Sequence, residues 1–126
     1  MKIKRFELNN IASVINSIGN KKGPIKTQYK FAKLKQIAES EQKIQQDLID
    51  TNCLQFLERD ENGELVPHEQ GGFKIKEGEI DKCNSVIGEI METEIEINDI
   101  KFTLDELEGL ELSLSQIEAL MSVIEE

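Results

Sequence analysis

The sequence predicts an α+β protein, mostly α, with one long helix, shorter helices and a small antiparallel β portion. Three observations predict it. Apolar residues recur at spacings of three and four over several stretches, the period of a helix with one buried face. One of these stretches, Ile25 to about Leu57, contains neither Pro nor Gly. Short alternating runs beside Asn-Gly and Gly-Gly supply the strands and turns.

Each element follows in chain order. Lys2 to Phe6 is short and β-compatible. From Leu8 the period changes, and Leu8, Ile11, Ile15 and Ile18 fall on one helical face. Gly19 is a natural stop for that helix. Residues 19–24 form a loop, and Pro24 suits the first turn of the next helix, where its missing N–H costs nothing. In the long helix Phe31, Leu34 and Ala38 share an arc that Gln45, Leu48, Ile49 and Phe56 continue. The stretch from Glu39 to Asp47 is polar, with Ile44 its only large apolar residue. At ~1.5 Å per residue the helix would span about 50 Å, more than the diameter of so small a domain. It therefore protrudes and pairs with another chain, or breaks at the polar stretch; protrusion and self-association are favoured.

Asn62-Gly63 supplies the positive φ angles of a tight turn. Leu65-Val66 and Phe73 to Lys76 are short strands able to pair. Ile80, Cys83, Ile87 and Ile90 give a third helix. Glu94 to Ile97 and Ile100 to Leu104 alternate and read as a second hairpin, or as one strand and an extended run. Thr103 with Glu106, and Ser113 with Gln116, form capping boxes for two short helices. The last of these turns Ile117, Leu120, Met121 and Ile124 inward. No internal repeat is apparent.

Composition narrows the function. The chain has 126 residues and a net charge of -10, so nonspecific binding to duplex nucleic acid is not expected. No apolar run approaches the ~20 residues of a membrane helix, so no membrane partner is expected. The basic start, MKIKRFELNN, has no apolar stretch behind it and does not read as a signal peptide. Length suggests a single domain, 1–126, with a basic part, 1–38, and an acidic remainder, 39–126. Cys53 and Cys83 fit reduced, partly buried thiols better than a disulfide framework. With His68 the only histidine and placed in a loop, zinc is rejected and no cofactor is expected.

Charge segregation is the main functional signal. Residues 1–38 carry a net +8 and residues 39–126 a net −18. Lys26, Lys30 and Lys33 follow i, i+4, i+7 on one helical face, with Lys21 and Lys22 in the loop before it. The helix start exposes backbone N–H groups and the positive end of the dipole, which suit phosphate. Thr27 adds a hydroxyl and Tyr29 a ring on which a base can stack. These seven residues form a candidate anion site; the bland alternative is a solvated or ion-paired face. Asp60, Asn62 and Glu64 mimic the start of a calcium loop, but Gly71 stands where the bidentate Glu belongs. His68 beside Glu69 is a weak acid–base pair, and no Ser or Cys has an evident partner base. An enzyme is not expected.

The order of segments carries a resemblance. MKIKRFELNNIASVIN, GPIKTQYKFAKLKQIAESE, the DENGE turn, GGFKIKEGE, IEINDIKFTLDELEGLEL and SLSQIEALMSVIEE together resemble a family of small phage and prophage proteins of unknown function from Gram-positive hosts. The resemblance implies a viral origin and a setting in the host cytoplasm, and it supplies no catalytic residues. The expected function is a non-enzymatic phage accessory protein that acts by binding. Its leading form is counter-defence, in which a homo-oligomer sequesters an anionic nucleotide signal or a host effector protein. The alternative is a structural or assembly protein of the phage head or tail.

Overall fold

The structure, a computed structural model, describes residues 1–18 and 21–125. It is mostly helical with a small antiparallel sheet, as the periodicity predicts. The expected stop at Gly19 lies outside the described residues. The chain forms two compact units: one from Met1–Lys43 and the chain from Glu92 onward, the other from Ile44–Met91.

The first unit opens with strand β1 (Lys2–Lys4), and helix α1 (Arg5–Ile18) follows at once. The helix begins three residues before the apolar period does. Glu7 explains the early start, because its carboxylate accepts the Lys4 backbone N–H at 3.2 Å. Leu8, Ile11, Ala12, Val14, Ile15 and Ile18 are buried on the inner face of α1. Helix α2 (Ile25–Cys53) runs 29 residues without a break. The alternative of a break at the polar stretch does not hold, because the backbone stays helical through it; the division between the two units falls there, after Lys43. In the first unit α2 contributes Phe31, Leu34 and Ala38 to the core, and Phe31 stacks on Phe102 with ring centroids 4.4 Å apart.

Strand β2 (Glu94–Glu96) decides between the two readings of this region in favour of one strand and an extended run. It pairs antiparallel with β1, not with residues 100–104, in the register Lys2↔Glu96, Ile3↔Ile95, Lys4↔Glu94. The choice has a physical cause. Ile3 and Ile95 meet on the buried side, and opposite charges flank them on both sides. The 100–104 run goes to the far end of the chain instead. Phe102 donates its N–H to the Val123 carbonyl at 2.7 Å and accepts from the Glu125 N–H at 2.7 Å.

Both expected capping boxes form. Thr103 opens α4 (Leu104–Glu108) with Glu106, and Ser113 opens α5 (Leu114–Leu120) with Gln116. Ile117 and Met121 depart from expectation: both are exposed, and Val123 is buried in place of Met121. The α-helix ends at Leu120 and a 3₁₀ turn, Met121–Val123, follows. Its three residues per turn shift the inward direction by a position.

The second unit holds the end of α2, a 3₁₀ turn Leu54–Phe56, and α3 (Ile80–Met91), with Cys53 and Cys83 buried as free thiols. Between the helices lies the repeat that the sequence hides. Glu58 donates its N–H to Lys74 at 2.8 Å, Lys74 to Val66 at 2.8 Å, and Val66 to Glu58 at 3.1 Å, a closed ring of three backbone hydrogen bonds. The three positions are spaced by eight residues. Isolated bridges Leu57↔Ile75, Arg59↔Leu65 and Pro67↔Phe73 follow the same threefold order. The first two connecting turns match as well: Asp60 and His68 each donate N–H four residues on, to Glu64 and Gly72. The pairing expected between the 65–66 and 73–76 runs is thus one side of a triangle.

Candidate functional site

The seven residues of the basic segment divide among three places on α2 and its approach. Successive residues turn by about 100°, so Thr27, Phe31 and Lys35 point one way while Ile25, Lys26, Tyr29 and Lys33 point another. The first direction borders a cleft. The cleft holds about 410 Å³ between the end of α1 and the first turns of α2. Ile15, Ile18, Phe31 and Leu110 give it an apolar floor, and Lys21, Lys35, Gln28 and Thr27 add polar groups. Lys21 is held there, its ammonium donating to the Leu110 carbonyl at 2.8 Å. Thr27 is buried and its N–H bonds back to Pro24 at 3.1 Å, closing the first turn of the helix.

Lys30 is engaged elsewhere. Its ammonium donates to the Glu106 carboxylate at 2.7 Å and to the Lys101 carbonyl at 2.7 Å, and it sits 5.6 Å from the centre of the Phe102 ring. The same Glu106 oxygen accepts the Thr103 N–H at 2.9 Å. The Lys30 ammonium, followed by the Thr103 amide, pulls the Glu106 pKa down to about 2. This lysine neutralises an acid of its own chain and is not available to a ligand.

Tyr29, Lys26, Lys22 and Lys33 are exposed, and the Lys33 ammonium lies 5.6 Å from the centre of the Tyr29 ring. Lys22 and Lys26 make no ion pair among the described residues. No family model, curated protein or solved structure matches the chain. Of the seven residues, Lys21 and Thr27 line the cleft; Lys35 and Gln28, which lie outside the seven, line it too. The sequence carries a signal for Lys35, which follows Thr27 and Phe31 at steps of four, a row that runs along one side of a helix.

The weaker candidates have structural employment. The Asp60 carboxylate accepts the N–H groups of Asn62 and Glu64 at 2.9 and 3.0 Å, which builds the turn. His68 does the same through Nδ1, accepting from Gln70 at 3.0 Å. Among the described residues no group of His, Cys, Asp and Glu side chains is placed to hold a metal ion, and no helix is long and apolar enough to cross a membrane.

Proposed function

We propose that the chain is a non-enzymatic binding protein that takes a small anionic nucleotide into the cleft between α1 and α2. One observation carries the reading: an apolar floor formed by Ile15, Ile18, Phe31 and Leu110 is bordered by two lysines, Lys21 just before α2 and Lys35 in its third turn. The floor suits a base and the charges suit phosphate. In the phage setting that the resemblance implies, such a protein acts in counter-defence by sequestering a nucleotide signal.

The test is a thermal-shift and calorimetric screen of mono-, di- and cyclic nucleotides. A ligand present at a hundred times its Kd should stabilise the native protein by about 2.7 kcal/mol. Lys21→Glu with Lys35→Glu should remove that shift while the helical circular dichroism is kept. A screen in which no nucleotide moves the melting temperature rejects the reading.

The alternative, a phage structural or assembly protein, is favoured by the engagement of Lys30 with Glu106. That pair shows basic and acidic parts of the sequence meeting as packing partners. On this reading nucleotides leave the melting temperature unchanged and charge reversal alters assembly.

A further inference from the structure

The segment from Phe102 onward contains no Lys, Arg or His. Helices α4 and α5 enclose a groove of about 450 Å³ there. Leu107, Ile117 and Ile124 line it, and Leu104 stands 65% exposed at its edge. Asp105, Glu108 and Glu111 line it too, and among the described residues that line it there is no cation. A groove of this composition accepts a helix whose exposed face mixes apolar and basic side chains.

The same unit displays such a face. Ile25 is 83% exposed and Tyr29 61%, and Lys26 and Lys33 flank them on the same arc of α2. We propose that the groove between α4 and α5 is the docking site for the first turns of α2 of a second copy of this chain. Charge complementarity selects the occupant. The groove and its surroundings are acidic, while α2 has no acid before Glu39. Each copy carries both halves of the contact. They are neighbours, because Lys30 on α2 reaches Glu106 on α4 at 2.7 Å. A two-fold axis beside that pair engages both halves at once and doubles the buried area, toward the ~800 Å² per partner typical of a stable interface. This contact goes beyond the nucleotide cleft and uses none of the residues that line it.

A charge-swap experiment tests it. Lys26→Glu with Lys33→Glu makes both halves of one variant acidic, and Glu108→Lys with Glu111→Lys makes both halves of the other basic. Sedimentation velocity at tens of micromolar should show a dimer for the unaltered chain. Each variant alone should be monomeric, with unchanged circular dichroism and at least a tenfold weaker association constant. An equimolar mixture of the two should dimerise again, because every contact then joins opposite charges. Tyr29→Ser, which alters no charge, should also weaken the dimer. A monomeric unaltered chain, dimerisation that survives both charge variants, or a mixture that stays monomeric overturns the proposal. So does a dimer dissociated by Ile44→Glu with Leu48→Glu while both charge variants leave it intact, since that places the seam on the second half of α2.

Discussion

Glu106 binds three groups through one oxygen: the Lys30 ammonium, the Thr103 N–H and the Thr103 hydroxyl. Its depressed pKa has a signed consequence. A carboxylate whose folded pKa lies below its unfolded value stabilises the fold above the unfolded pKa and loses that contribution as pH falls. For Glu106 the loss runs from the ordinary carboxylate range, about 4.3, down to about 2. Acid titration followed by circular dichroism should therefore show a stability decline in that window that Glu106→Gln lacks. At neutral pH the variant keeps a cap acceptor but loses the ion pair, at a cost of about 1–2 kcal/mol. Arg5 is a stricter case. Its buried guanidinium meets the Glu41 carboxylate at 3.2 Å and carbonyl at 3.1 Å, and Arg5→Ala should lower the stability read from a urea melt by about 1–3 kcal/mol through the lost charge-assisted hydrogen bonds. Cys53 behaves oppositely to a reactive thiol. Burial and the neighbouring Cys83 push Cys53 up to about 11, so a disulfide reagent at pH 8 should label native protein far more slowly than unfolded protein.

The three-stroke turn module between α2 and α3 depends on backbone angles more than on side chains. Gly63 has φ +80° and a Cβ there would meet no atom within 4 Å. Gly63→Ala therefore carries only the backbone cost of the left-handed region, about 1–2 kcal/mol. Gly88, in the middle of α3, also has open space around a Cβ but a helical φ. Gly88→Ala should stabilise by about 0.5–1 kcal/mol. A pair of chemical melts in urea checks both signs. What the sequence reveals divides along the same line. The capping boxes are legible because partner and cap stand three residues apart, and the apolar arc of α2 because it repeats locally. The module is not legible as a repeat: its matching positions hold Glu58, Val66 and Lys74, three unlike residues united only by main-chain hydrogen bonds. The β1–β2 pair is hidden by separation, with Ile3 facing Ile95. In the candidate site the lysines were legible as charge, but not which of them Glu106 would claim.

At the scale of the molecule, the residues from Ile44 to Met91 form a compact unit inserted into another. Arg5 shows that the two edges of the first unit lie close together. Its side chain touches Glu41, and its N–H bonds to the Thr93 carbonyl at 3.0 Å. A short Gly-Ser bridge from Lys43 to Glu92 should therefore replace the insert without straining the first core. That shortened chain should retain helical circular dichroism and melt in one cooperative step; a non-cooperative melt would show that the first unit depends on the insert.

The pairing of β1 with β2 also sets a timetable for synthesis. The ribosome releases Lys2–Lys4 long before it makes Glu94–Glu96, their partners. At ~5–20 residues per second the edge of β1 waits several seconds for its complement. During that wait Ile44–Met91 emerges complete and can close its own contacts. The nascent chain thus finishes its middle before its beginning.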